Sequence, residues 1–210
     1  MTPSEEFIHR LQSLKEGSRS FLRCLAGRAL NETLWGFDLF TGLWWPLRQQ
    51  SRCAPQRETA WLVTKLYAAI GIPHIRRADG TAAPTLAHLL GYLEPRHDRD
   101  AQRFRARFEA LLGSPLPALE PHLKWALGAL AWALRQRRLR AEGLDWAQLL
   151  DDLSLWDRGL NPADSLQRQQ LKAHMRLVPC TETHQTPQQL WACEYFHASR
   201  SQAQGADDAD

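Results

Sequence analysis

Four cysteine and histidine side chains near the C-terminus are of the types that bind zinc. Cys180 and His184 are four residues apart, and Cys193 and His197 repeat that spacing. Residues i and i+4 share one face of a helix, so the second pair could contribute two ligands to one cation. Zinc fingers usually begin with two cysteines separated by two to four residues, and the spacing here differs from that pattern. We therefore predict no cofactor, and a small helical metalloprotein using these four residues remains the alternative.

Three nearby carboxylates offer a second kind of chemistry. Asp151, Asp152 and Asp157 lie close together in the chain, and paired carboxylates can hold Mg²⁺ in a nuclease. The same acids fall opposite a leucine-rich face, and charged residues on a helix usually face water. We interpret them as a solvated acidic face, and a metal-dependent nuclease using Asp151 and Asp152 remains an alternative. No GxxxxGK[ST], GxGxxG, HExxH or GxSxG motif is present, so we predict that the protein is not an enzyme.

Basic residues are the most numerous candidate binding groups. Residues 96–142 contain ten Arg or Lys and five Asp or Glu, whereas the net charge of the whole chain is +3. A basic stripe is the electrostatic footprint of a polyanion partner, and no groove-reading motif accompanies it. We therefore expect sequence-independent binding to nucleic-acid phosphates. The predicted nucleic-acid-binding residues are Arg19, Arg23, Arg28, Arg76, Arg77, Arg103, Arg105, Arg107, Lys124, Arg135, Arg137, Arg138 and Arg140.

An ordinary solvated surface is the competing interpretation of these basic residues. Arg103, Arg105 and Arg107 alternate along the chain, so a helix spreads them around its circumference. The cluster from Arg135 to Arg140 follows a predicted helix, where cations interact favourably with the helix dipole.

Nine tryptophans could stack on unpaired bases. Most of those in apolar helical faces are predicted to be core, and Trp125 is predicted to be exposed. The tryptophans in apolar faces are Trp35, Trp44, Trp45, Trp61, Trp132, Trp146 and Trp156.

Hydrophobic residues make up 44% of the chain and recur at helical intervals, with no alternating strand pattern of any length. Capping boxes at Thr2–Glu5 and Thr186–Gln189 each place Pro at the first helical position. Helices are predicted over residues 3–16, 19–30, 34–45, 56–70, 85–93, 98–112, 123–139 and 145–156, and from residue 187 onward; the segment 161–185 is ambiguous. The predicted fold class is all-α, a helical bundle built of two small halves.

The predicted organisation is an N-terminal helical half (1–95), a C-terminal helical bundle (96–200) and a disordered acidic tail (201–210). No apolar run has the length that a membrane span needs, and the N-terminus has no secretory signal. The four cysteines form no CxxC pair, which suits a reducing compartment. We expect a cytoplasmic protein with no membrane partner.

Two short segments resemble the CasB family, the small subunit of the type I-E CRISPR interference complex known as Cascade. They are residues 143–156 (GLDWAQLLDDLSLW) and residues 191–196 (WACEYF). The start of the chain at residues 7–11 (FIHRL) and the pairs at residues 103–104 and 111–112 are also similar to that family.

This resemblance implies a non-catalytic, two-part helical protein that lies, commonly as two copies, along the inner face of a guide-RNA complex. The implied partners are other Cascade subunits, the guide RNA, the target and non-target DNA strands, and a second copy of the chain. Its basic face would then stabilise the R-loop by following the phosphates of the displaced non-target strand. By position, Arg19, Arg23 and Arg28 correspond to the family's basic second helix. Likewise, Arg103, Arg105 and Arg107 correspond to the basic helix that opens the second half.

Overall fold

The computed structural model describes residues 2–75, 84–139, 141–157 and 186–207. These residues form nine α-helices and two single 3₁₀ turns, and their one β-type contact is an isolated bridge between His74 and Leu144. The helices are α1 (Pro3–Gln12), α2 (Glu16–Cys24), α3 (Leu34–Gln50), α4 (Arg57–Ile70), α5 (Leu86–Tyr92), α6 (Asp98–Leu112), α7 (Glu120–Arg135), α8 (Trp146–Ser154) and α9 (Pro187–Asp207). The predicted all-α class is confirmed, and α9 extends into the residues predicted as a disordered tail.

Both predicted capping boxes are present and start their helices. The Thr2 hydroxyl accepts the Glu5 backbone N–H at 3.2 Å, and the Glu5 carboxylate accepts the Thr2 N–H at 2.6 Å. Thr186 and Gln189 make the same reciprocal pair at the start of α9. Gly71 ends α4 with a φ of 71°, a left-handed conformation that favours glycine because it has no Cβ.

Two helix boundaries predicted from Gly and Pro were wrong. Gly17 does not stop a helix; it lies in the first turn of α2, where the backbone N–H groups have no intrahelical partner in any case. Pro46 lies inside α3, which continues to Gln50 because Leu47 extends the buried face and is only 2% exposed. The second helix instead ends at Cys24, and Gly27 follows with a left-handed φ of 81°.

One apolar core receives side chains from both predicted halves. Its central element is α4, in which every residue from Thr59 to Leu66 is buried and which packs against α2, α7 and α8. In addition, α1 packs against α3 and α8, and α5 packs against α7 and α9. Helices from both sides of residue 95 contribute to this core. The division of the chain into two halves at that residue stays a prediction.

The helices α5 and α9 approach each other closely at Gly91. Gly91 of α5 lies against the backbone carbonyl of Tyr195, and a Cβ added at Gly91 would also lie 2.8 Å from the Ala198 Cβ. Only glycine therefore lets these two helices approach so closely.

We expect Gly91→Ala to lower the free energy of unfolding by about 1–3 kcal/mol, because the new methyl group would push the two backbones apart. Gly42→Ala is the matched control, since Gly42 lies inside α3 with open space around its Cα. That change should instead raise stability by about 0.5–1 kcal/mol. Urea unfolding followed by circular dichroism measures both variants. Equal stability of Gly91→Ala and the native protein would contradict the close approach.

Candidate nucleic-acid interface

The exposed basic residues of α6 lie beside an aromatic contact that joins α6 to α7. The rings of Phe104 and Trp125 meet edge-to-face with centroids 5.0 Å apart, and both side chains are half-buried. The Arg107 guanidinium lies 5.9 Å from the centroid of the Trp125 ring. Arg103 is one turn away on the same helix face, and its side chain is 66% exposed.

A second arginine–tryptophan pair lies at the other end of α7. The helix ends in a Schellman motif, in which the Arg137 N–H donates to Leu134 O and the Arg138 N–H donates to Ala133 O. Arg137 takes the left-handed φ of 54° that this motif requires. The turn folds the chain back, so the Arg138 guanidinium lies 4.4 Å from the centroid of the Trp132 ring. Arg135, Arg137 and Arg138 are all exposed.

Arg105 has a different position from its two neighbours on α6. Its Nε donates to Glu94 Oε1 at 2.7 Å, and the second oxygen of that buried carboxylate accepts the Tyr195 hydroxyl at 2.7 Å. Burial, together with the hydrogen bond to Glu94, raises the pKa of Tyr195, so the phenol stays protonated. The Arg105 side chain is itself 52% exposed, and its ion pair with the buried Glu94 joins α6 to the segment after α5, while the same carboxylate bonds Tyr195 on α9.

The arginines of α2 also make contacts within the protein. Arg19 donates to the backbone carbonyls of Leu14 and Gln12 just after α1 ends. Arg23 pairs with Glu16 at 2.9 Å and donates to the Ala68 carbonyl. These contacts fix α2 against its neighbours, which leaves fewer free donors for phosphate than the sequence suggests.

Lys124 belongs to a charge network around Glu120, the first residue of α7. The carboxylate pairs with Lys124 at 2.9 Å and with the buried Lys65 at 2.6 Å, and it accepts the Gly27 N–H. Burial alone would raise the pKa of Glu120, but these hydrogen bonds hold it below its usual value. The adjacent Arg28 side chain is exposed beside a cleft of about 570 Å³.

Five residues singled out from the sequence lie outside the described part of the chain: Arg76, Arg77, Arg140, Cys180 and His184. The other half of the candidate zinc set, Cys193 and His197, is exposed on α9. Within the described ranges, no three His, Cys, Asp or Glu side chains come together as a possible metal site.

The prediction that Asp151 and Asp152 form a solvated face was wrong. They are 3% and 2% exposed, because every residue of α8 is buried among its neighbours. Asp152 accepts the indole N–H of Trp191 at 2.7 Å, and Asp151 accepts the Ser4 hydroxyl. The absence of basic residues from α8 was the available signal, since a solvated helix face usually mixes charges. Asp157 is exposed and accepts the Leu116 N–H.

The prediction that most of the seven tryptophans are core was wrong for three of them, whereas the half-buried Trp44 packs against the core. Trp61, Trp146 and Trp156 are buried as expected, whereas Trp35, Trp45 and Trp132 are 80%, 49% and 44% exposed. Trp125, predicted to be exposed, is half-buried.

The exposed tryptophans of α3 belong to an apolar surface. That helix turns only one face, carrying Phe40, Leu43 and Leu47, toward the core. Its other side exposes Leu34, Trp35, Phe37 and Trp45, and we call these four residues the α3 face.

Fold and surface together define an all-α protein with a basic, aromatic face on α6 and α7. No family model and no curated protein matches the sequence. A solved structure with a similar fold is the CRISPR-associated protein of the Cse2 family from Thermus thermophilus. The similarity covers 94% of this chain and 100% of that one, with a TM-score of 0.54 and 22% sequence identity. Within the described residues, no helix combines the length and the hydropathy that crossing a bilayer requires.

We expect Arg105→Ala to lower the free energy of unfolding by about 1–3 kcal/mol, because it leaves a buried carboxylate oxygen without its partner. Arg103→Ala is the matched control, since Arg103 is exposed on the same helix with only a 3.9 Å contact to Asp100. That control should change stability by less than about 0.5 kcal/mol. Thermal and urea unfolding of the two variants measure the difference. Similar stabilities would contradict the structural role assigned to Arg105.

Proposed function

We propose that this protein is a non-catalytic small subunit of a type I-E CRISPR interference complex, of the Cse2 family, which is the same as CasB. The observation that carries the proposal is the fold shared with a Cse2-family protein along almost the whole of both chains. The proposed partners are the other subunits, the guide RNA, the two DNA strands and a second copy of the chain.

The sequence segments that resemble the family support the proposal from another direction. Residues 143–156 and 191–196 are far apart in the chain, yet they meet in the core. Asp152 of the first segment accepts the indole N–H of Trp191 in the second. The Trp156 and Trp191 rings also contact each other edge-to-face, with centroids 5.0 Å apart. The two segments that carry the resemblance therefore contact each other where α9 packs against the end of α8.

The proposed activity is binding to nucleic-acid backbones without reading base sequence. Opening a DNA duplex on a guide RNA exchanges one duplex for another at nearly balanced free energy, so protein contacts to phosphates can tip the exchange. Arg23 and Arg105 are exposed but pair closely with Glu16 and Glu94. The remaining exposed arginines of the predicted set are better positioned for such contacts: Arg28, Arg103, Arg107, Arg135, Arg137 and Arg138. A surface of this kind favours the open state without competing with base pairing for specificity.

The apolar α3 face supports assembly with another protein subunit. Monomeric proteins rarely expose a contiguous group of large apolar side chains, and such patches usually mark protein interfaces. The exposed charged residue nearest its centre is Asp38, an acid that would repel phosphates. We therefore assign this face to a subunit of the complex. The buried, hydrogen-bonded Asp151 and Asp152 give no support to the alternative of a metal-dependent nuclease.

Replacing Arg103 and Arg107 together by Ala should weaken binding to single-stranded DNA equally for unrelated sequences. The slope of log affinity against log salt should fall by about 0.7 for each phosphate that the variant no longer binds. Fluorescence anisotropy across a salt series with Mg²⁺ present measures both quantities and shows whether the DNA stays intact. Arg10→Ala is the control, because Arg10 pairs with Glu6 on α1. An unchanged slope in the double variant, or DNA cleavage by the native protein, would contradict the proposal.

Replacing Trp35 and Trp45 together by Ser should reduce recovery of the protein with an affinity-purified guide-RNA complex by about tenfold or more, as expected for aromatic residues at an interface centre. Phe196→Ser is the control, since Phe196 is a similarly exposed aromatic side chain on α9 (48% exposed). Circular dichroism establishes that the variants are folded. Undiminished recovery of the double variant would rule out the α3 face as the contact surface.

A further inference from the structure

Trp132 is exposed in a setting unlike that of the α3 tryptophans. Its ring is 44% exposed and carries the Arg138 guanidinium at 4.4 Å, within the range of a cation–π contact. This contact depends on the left-handed backbone conformation of Arg137, which residues other than glycine rarely adopt. The chain thus adopts an unfavourable backbone conformation that holds a cation against an accessible indole.

Trp125 makes a similar contact two helical turns earlier, where Arg107 from α6 supplies the cation at 5.9 Å, but the Trp125 ring is half-buried against Phe104. Residues seven apart on a helix share a face and lie about 10 Å apart along the axis. Between the two tryptophans on that face is Gly128, and the position of its absent Cβ has no atom within 4 Å. The outer side of α7 therefore carries two arginine–tryptophan pairs, and the surface between them at Gly128 is open. We call this surface the α7 platform.

The chemistry of the α7 platform fits unpaired bases. Indole rings and guanidinium groups are both flat surfaces on which a base can stack, and both tolerate any base because every base has a π-face. A protein partner is a poorer fit here than at the α3 face, because the aromatic rings of the platform each carry a guanidinium. Arg103 and Arg135 add further positive charge nearby.

We propose that the α7 platform stacks unpaired bases of single-stranded nucleic acid, so that the protein prefers an open strand to a duplex. This inference rests on the proposed function. It adds that the protein recognises nucleic acid in its single-stranded form. Phosphate contacts alone do not distinguish a strand with bases from one without them, and stacking does.

The test compares three fluorescent probes of equal length at fixed salt: oligothymidine, an abasic strand with the same number of phosphates, and a duplex. We expect the native protein to bind oligothymidine at least about fivefold more tightly than the abasic strand, the effect of one stacked base. Trp132→Ala should abolish that difference and leave affinity for the abasic strand unchanged. Trp132→Phe should restore part of it, because a ring is retained.

Phe196→Ala is the matched control, since it removes a similarly exposed aromatic ring (48% exposed) from α9 and should leave all three affinities unchanged. Equal native affinities for oligothymidine and the abasic strand would overturn the stacking proposal while leaving phosphate binding intact. Binding to neither strand at low salt would overturn the proposed function as well. If Trp132→Ala weakened binding to both strands equally, the indole would serve only to position Arg138, and stacking would again be excluded. Loss of complex assembly with unchanged DNA binding would identify the surface as a protein contact instead.

Discussion

Docking of α9 against the rest of the bundle is the contact on which the candidate interface depends. The buried face of α9 is apolar, yet three of its side chains also make a hydrogen bond to another part of the chain. Trp191 donates to Asp152 on α8, Glu194 accepts the hydroxyl of Thr85 at the start of α5, and Tyr195 donates to Glu94 just after α5. A shift of α9 by one residue would break these three hydrogen bonds between buried groups, at a cost of about 1–3 kcal/mol each. The hydrogen bonds therefore fix the position of α9 along its axis, whereas the apolar contacts alone would tolerate sliding.

The same network determines which arginine of α6 pairs with a buried carboxylate. Arg103 and Arg107 are four residues apart and share a helix face, whereas Arg105 lies about 200° away from each by helical geometry. That geometry points Arg105 at Glu94 and Tyr195 and leaves its two neighbours on the α7 side. A single helix thus divides three similar residues into one structural cation and two surface cations. The alternation of these arginines along the chain suggested charge scattered around the helix. It instead places Arg103 and Arg107 together on one helix face.

Local signals were sufficient for much of the fold. The sequence predicted α6 with its observed bounds, 98–112, and both capping boxes, because each depends on residues within a few positions of one another. The hydrogen-bond partners of Asp151 and Asp152 could not be predicted in this way, since Ser4 and Trp191 come from distant parts of the chain. The sequence predicted the basic residues as one group of binding candidates. It did not distinguish those that pair with carboxylates of the protein from those that remain available to a ligand.

The contact between Trp132 and Arg138 was missed for a related reason. It needs a left-handed backbone at Arg137, and no glycine marks that turn in the sequence. The result is that α3 and α7 both expose tryptophan, but the tryptophan of α7 lies beside arginine and those of α3 lie on an apolar surface.

Contacts to phosphates weaken as the salt concentration rises, whereas stacking of bases on aromatic rings depends on salt far less. A surface that combines the two keeps more affinity for an open strand than for a duplex at physiological salt. The proposed role in stabilising an R-loop needs that distinction, because intact duplex elsewhere offers the same phosphates without unpaired bases.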